Sequence, residues 1–310
     1  MRFFSKVPNI DFMAQRRVGL AVSAIATIAV VLLVMFRGLN FGIDFTGGVL
    51  VEVHYPQAVE LTEVREALGK AGYERAVVQF FGTSQDVLIR LPPAGEATTA
   101  NVSTAILDAL GSEVDGIELR RVEFVGPQVG EELTEKGGLA MLFAFMGIMA
   151  YIAFRFEWKF SVGCVAALIH DVVMTIGILS IFQIEFDLTT LGAILALIGY
   201  SNNETVVIYD RVRENLLSQR RAAVEEVVNL SINQTLLRSI ITHLTTLLTM
   251  FALFFLGGPS VHSFSVTLII GVLVATYSSI YISTGLAIVL GVKREDLLPP
   301  KDDLEDKEVV

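Results

Sequence analysis

The residues able to do chemistry in this chain are Glu204, Arg238, His243, His170 and Asp171, and each falls in a stretch that reads as membrane-spanning. Glu204 belongs to the apolar stretch 188–210, inside the unbroken polar run Ser201, Asn202, Asn203, Glu204, Thr205. At about 100° per residue, Ser201, Glu204 and Thr205 share one helix face, while Asn202 and Asn203 point to two others. Lipid cannot satisfy these groups, so the turn must be wrapped by other helices or touch water. An ionisable group at that depth costs about 2.5–3.5 kcal/mol on insertion scales, and the usual uses are ion pathways, proton relays and buried ion pairs.

At 1.5 Å per residue, Glu204 lies about 8 Å from the end of its span nearer Asp210. Arg238 and His243 lie about 3–10 Å in from the same side, and Asp171 about 15 Å. Glu204, Arg238 and His243 therefore meet at one level if the fourth and fifth spans pack together, with Asp171 continuing inward. The chemistry is proton transfer: a carboxylate loads and unloads, and a cation tunes it. The bland alternative is a static Glu204–Arg238 pair that locks two helices. His243 carries the side chain most easily switched near neutral pH.

The elements that must position these groups follow from the hydropathy. The chain has 310 residues, 53% of them hydrophobic, with a mean hydropathy of +0.61. The apolar stretches predict six transmembrane helices, at 18–36, 139–154, 161–182, 188–209, 236–256 and 264–290. The first is long and lacks a clear cleavage site, so it is expected to stay as an anchor. Lys and Arg mark residues 1–17, 155–159 and 210–235, whereas the links 183–187 and 257–263 hold none. Both termini are thus expected on the cytoplasmic side, with the block 37–136 extracytoplasmic and an acidic, disordered cytoplasmic tail over 291–310. That block reads as strand 49–55, helix 61–71, strands 76–82 and 86–91, helix 98–110 and strand 116–125. The order βαββαβ predicts a small α+β ferredoxin-like domain. Its two helices would cover one sheet face and leave the other free for a partner, unless the domain is only a spacer. The link 210–235 is amphipathic and reads as an interfacial helix or a structural elbow.

Several classes drop out. A net charge of −10 argues against nucleic acid. The single cysteine, Cys164, excludes an intrachain disulfide and a cysteine metal cluster, and reads as a core thiol. No phosphate loop, HExxH or GxSxG is present. Asp210 stands at a span end beside Arg211 and Arg213, where charge is cheap, so an intramembrane aspartyl protease is disfavoured. No enzyme, metal or cofactor is expected. Gly47–Gly48 signals only a tight turn or close approach.

Three stretches carry a resemblance: GIDFTGG at 42–48, VEFVGPQVG at 122–130 and IGYSNNETVVIYDRVREN at 198–215. With His170–Asp171 and LLRSI around Arg238, they resemble the SecD/SecF family of the bacterial protein-export machine, akin to half of a resistance–nodulation–division (RND) transporter. Asp44, Gly47, Gly48, Gly126, Pro127, Asp210 and Arg211 fall in its motifs. The resemblance implies an RND-like half bundle in the bacterial cytoplasmic (inner) membrane, paired with SecD and joined to the SecYEG channel. It implies use of the proton-motive force to draw unfolded preproteins outward after the ATP-driven motor SecA, with membrane lipid around the spans. The family's membrane carboxylate falls on Glu204, within Ser201, Asn203 and Thr205, its arginine on Arg238 and its third-span His-Asp on Asp171. The chain departs from the family pattern at Glu204 (usually Asp), Asn202 (usually apolar), and His243 and Leu244 (usually small). H⁺ is the expected ion, with Na⁺ as the alternative. Other readings are an RND-type half-transporter of a small molecule or lipid, and a structural scaffold of the channel.

Overall fold

The computed structural model describes residues 8–92, 99–111, 116–219 and 221–297. Arg220 and the tail from 298 lie outside them. In chain order the elements are α1 (Arg16–Arg37), β1 (Asn40–Phe41), α2 (Ile43–Thr46), β2 (Gly48–His54), α3 (Leu61–Lys70), β3 (Val77–Phe81), β4 (Thr83–Leu91), α4 (Thr99–Gly111) and β5 (Glu118–Val125). Then follow α5 (Pro127–Arg155), α6 (Trp158–Phe182), β6 (Glu185–Phe186), α7 (Leu188–Ser218), α8 (Val224–Leu256), α9 (His262–Ser278), a π turn at Ser279–Ser283 and α10 (Thr284–Val289).

Among the described residues, six helical spans are long and apolar enough to cross a membrane. α6, α7 and α9 form the inner layer, because their apolar residues are interleaved with small and hydroxyl residues that allow close approach. α1, α5 and α8 turn long apolar side chains outward, among them Ile25, Phe143 and Leu248. Gly163 shows how tight the inner contact is. A Cβ there would lie 2.6 Å from both the Ser283 carbonyl oxygen and the Tyr209 hydroxyl. The same hydroxyl donates to that carbonyl at 2.9 Å, beside the π turn.

The stretch 210–235 is no interfacial helix. α7 runs on to Ser218 and α8 starts at Val224, so the link is the tip of a helical hairpin. Its apolar residues Leu216, Val227 and Val228 are buried in the main core rather than turned to lipid. Asn215 donates to Ser231 Oγ and Gln234 Oε1, both at 2.8 Å. Asn229 and Asn233 grip the chain just before α1 through Phe12 N (2.9 Å) and Ile10 N (2.9 Å).

The α+β domain between α1 and α5 has sheet order β3-β4-β2-β5, antiparallel throughout, as βαββαβ connectivity predicts for a ferredoxin-like unit. Strand alternation sends Val49, Val51, Val53, Val87 and Ile89 into one core with Val64 and Leu68 of α3 and Ile106 and Leu110 of α4. The opposite face is not free. Leu50 and Leu88 are buried against Ile43 of α2, and Arg90 reaches the turn between α6 and α7. The face expected to await a partner is covered by the chain's own bundle end, because its central residues are apolar or need a counter-charge.

That contact ties the domain to α7. β1 pairs in parallel with β6, and Gly42 N donates to Phe186 O at 2.9 Å. Leu188 N, at the start of α7, donates to Asp44 Oδ2 at 2.8 Å. Arg90 Nη2 lies 2.6 Å from Glu185 Oε2, and Arg90 Nη1 donates to Asn40 Oδ1 at 3.1 Å. The glycine motifs close the junction: a Cβ on Gly47 would meet Pro127 Cα at 3.0 Å, and one on Gly48 would meet Leu91 O at 2.3 Å. Burial raises the pKa of Glu185, opposed by Arg90, and burial also raises that of Asp44, opposed by the Leu188 amide.

Two outcomes follow. Arg90→Ala leaves Glu185 buried without its cation and should lower stability by about 3 kcal/mol, read by thermal unfolding in detergent. The raised Asp44 pKa means that its folded state favours the proton. Its contribution to stability is therefore full below the ordinary carboxylate range and is lost as pH rises through the raised value. Asp44→Asn, neutral and still an acceptor for Leu188 N, should gain on wild type as pH rises through that window. Parallel stability–pH curves would contradict this.

Candidate ion-pathway site

α7, α8 and α9 meet around Glu204. The carboxylate is 7% exposed. Ser239 Oγ of α8 donates to its Oε1, and His243 Nε2, one turn further along α8, lies 3.8 Å from its Oε2. The i, i+4 spacing of Ser239 and His243 puts both on the α7-facing side of α8. His243 Nδ1 lies 2.9 Å from Thr276 Oγ1 of α9, and the Tyr200 ring packs 5.5 Å from the imidazole.

Asp171 occupies the other flank of α7. It is 1% exposed and accepts from Ser201 Oγ at 2.6 Å. His170 Nδ1 lies 3.2 Å from its second oxygen. Ser201, Glu204 and Thr205 are all buried. One α7 face thus presents Ser201 to α6 and Glu204 to α8. Thr205 Oγ1 is buried with no hydrogen-bond partner among the described residues. Asn202 accepts from Cys164 Sγ at 3.5 Å.

Arg238 does not meet Glu204. It is exposed, and the ionisable side chain beside the Glu204 carboxylate is His243. The reason is rotation: Arg238 precedes Ser239 by one residue and so points about 100° away. Asn203 is exposed and precedes Glu204 in the same way. In an antiparallel helix pair, the residue just before each contact residue points to the same side, so Asn203 and Arg238 flank one surface. Gly192, Ala196 and Gly199 continue that exposed surface along α7, and Thr242, Thr245 and Thr249 along α8. An arginine and a small-residue stripe facing outward at membrane depth call for a protein partner rather than lipid. Asp210 and Arg211 lie away from the cluster. Asp210 is 3.4 Å from Arg155 Nη2, and Arg211 bonds Gln234 and Glu214, each at 2.5 Å. Asp44, Gly47, Gly48, Gly126 and Pro127 belong to the domain junction. Ser239 and Thr276 were not singled out from the sequence, because hydroxyls in apolar helices are common and usually bond the preceding turn.

Residues 106–293 match the model of the protein export membrane protein SecD/SecF C-terminal family, and residues 33–59 match the SecD/SecF GG motif. The chain belongs to the SecD/SecF family. It is 48% identical over 304 residues to the protein translocase subunit SecF of Pseudomonas aeruginosa, covering 97% of this chain and 99% of that one. It is 42% identical to that of Vibrio alginolyticus, covering 97% and 96%. The crystal structure of SecDF from Thermus thermophilus, described as a translocon-associated membrane protein, matches with a TM-score of 0.84 and 35% identity. That match covers 91% of this chain but 39% of the longer one, so the chain spans about two fifths of SecDF. Family and spans together make this a multi-pass inner-membrane protein of the Sec system.

Ser201→Ala would leave one oxygen of the buried Asp171 without its donor. The expected cost is about 2 kcal/mol, measured by thermal unfolding of the detergent-solubilised protein, with Ser201→Thr restoring most of it.

Proposed function

We propose that this chain couples the proton-motive force to late translocation of unfolded preproteins, as the SecD-paired accessory subunit of the Sec export machinery. The observation that carries the reading is Glu204, a carboxylate enclosed between α7 and α8 on the helix whose first residue is hydrogen-bonded to the base of the α+β domain. A proton falling through 100 mV releases about 2.3 kcal/mol. Protonating Glu204 neutralises its carboxylate and reverses its hydrogen bond with Ser239. That shifts the balance between two packings of α7 on α8, and α7 carries the shift to the domain through Asp44, Arg90 and Glu185.

In this reading both termini are cytoplasmic and residues 37–136 are extracytoplasmic, as the Lys and Arg placement favours. SecD supplies helices to the surface flanked by Asn203 and Arg238, where a partner carboxylate would match a guanidinium that has no ion pair among the described residues. The pair works beside SecYEG and after SecA, surrounded by lipid. The chain itself does no covalent chemistry and needs no cofactor beyond the gradient, with H⁺ favoured over Na⁺.

The test is preprotein export by vesicles carrying the chain with SecD, SecYEG and SecA, with and without a proton gradient. Glu204→Gln should lose the gradient-dependent part of export and keep the ATP-driven part. Full gradient dependence in Glu204→Gln would refute the coupling role of Glu204.

A further inference from the structure

We propose that Glu204 and His243 hold one proton between them at rest and carry the transported proton as a second, with Thr276 fixing the orientation of the imidazole's hydrogens. The inference rests on Glu204 being the carrier and concerns how many protons its site holds. It also identifies Thr276 as a positioning residue.

The hydrogen bonds set the count. Thr276 has one hydroxyl hydrogen and two neighbours for it: Val272 O at 2.7 Å and His243 Nδ1 at 2.9 Å. The carbonyl is the nearer, and a threonine hydroxyl in a helix commonly bonds back to the preceding turn. With the hydrogen committed there, Thr276 Oγ1 is an acceptor, so His243 Nδ1 must carry a hydrogen. Nε2 is then a bare lone pair in the neutral ring and an N–H in the imidazolium. It is buried, makes no hydrogen bond among the described residues, and faces Glu204 Oε2 at 3.8 Å. A bare nitrogen facing Glu204 Oε2 would set two acceptors against each other with no hydrogen between them, and would leave the buried nitrogen unsatisfied. One proton removes the conflict, as Glu204-COO⁻ with imidazolium or Glu204-COOH with neutral imidazole.

Ser239 accommodates either form. Its hydroxyl donates to Glu204 Oε1, and Thr235 O lies 3.3 Å away as a second acceptor. When Glu204 is protonated, Ser239 turns to Thr235 and receives the carboxyl hydrogen. The resting pair is therefore neutral. Loading gives Glu204-COOH with imidazolium, charge +1, with Ser239 turned to Thr235, and release returns the pair to neutral and Ser239 to the carboxylate. The ionisable neighbours are Tyr200 on α7, His170 and Asp171 on α6 behind Ser201, Tyr277 on α9 with its ring 6.4 Å from that of His170, and Arg238 on α8, turned outward. None stands between Glu204 and His243. A site that presents a ring nitrogen and a resting positive hydrogen to the carboxylate suits a proton better than Na⁺, which prefers oxygen ligands.

The imidazolium makes Glu204 harder to protonate, so removing it should let the site load at higher pH. The experiment is gradient-dependent export by vesicles carrying this chain with SecD, SecYEG and SecA, measured against the pH of the side that supplies protons. His243→Asn keeps a donor toward Thr276 but cannot be protonated. It should move the alkaline limb up by about one unit or more. Thr276→Val removes the acceptor for Nδ1–H and should move the limb the same way, and Thr276→Ser should restore it. Replacing Na⁺ with K⁺ at a fixed proton gradient should leave wild type unchanged. Each variant is first checked for co-purification with SecD. Should His243→Asn fail to assemble, the Thr276→Val and Thr276→Ser profiles decide. Profiles superimposable on wild type, with Glu204→Gln still abolishing gradient dependence, would overturn the shared-proton inference and leave the carrier reading intact. Full gradient dependence in Glu204→Gln would overturn the carrier reading itself.

Discussion

A carboxylate inside a bilayer must find its partners within protein, and the arrangement around Glu204 follows from that constraint. Hydrocarbon offers no hydrogen bond, so the turn bearing Ser201–Thr205 has to be enclosed on three sides. α8 supplies Ser239 and His243, α6 supplies Asp171 for Ser201, and α9 supplies Thr276 behind the imidazole. Each partner is a small or ring-shaped polar group on an otherwise apolar helix.

The same helix that holds the carboxylate is anchored at its other end to the α+β domain. Asp44 accepts the first amide of α7, Asp187 accepts from Thr190 N at 2.7 Å, and Arg90 crosses from β4 to Glu185 in the preceding turn. The two family motifs rich in glycine lie where the backbone of the domain base, β4 and the start of α5 come closest. At Gly47, Gly48 and Gly130 a Cβ would press on main chain, at 3.0, 2.3 and 2.8 Å. α7 is thus a continuous 31-residue rod from the domain junction past the buried site to the far end of the bundle. A rod held by hydrogen bonds at one end and by a titratable group at its middle is a means of turning protonation into movement.

Depth was legible in the sequence, and azimuth was not. Hydropathy located the six spans, and alternation in 48–125 read out the βαββαβ order, because both signals are local. The level of Glu204, His243 and Arg238 followed from counting rises. Which of them face each other depends on the rotation of α8, and that rotation is set by contacts elsewhere: Asn215 with Ser231, and Val227 and Val228 in the core. A difference of one residue turned Arg238 to the outside and brought Ser239 to the carboxylate. The covered sheet face was hidden for a similar reason. Arg90 and Glu185 are far apart in sequence, and nothing near either one announces the other. The link 210–235 looked amphipathic because two helix ends share one core, not because a helix lies on lipid.

The central claim is that the protonation state of Glu204 sets the position of the α+β domain through α7. The most direct measurement is a spin-label distance between exposed positions in the domain and near the start of α8, Glu74 and Glu226, in the complex with SecD in vesicles. Cys164 is buried and leaves added cysteines as the labelling sites. The account predicts that imposing a proton gradient changes the distance distribution in wild type, and that Glu204→Gln holds a single distribution with or without the gradient. A gradient-dependent change that persists in Glu204→Gln, or no change in wild type, would contradict it.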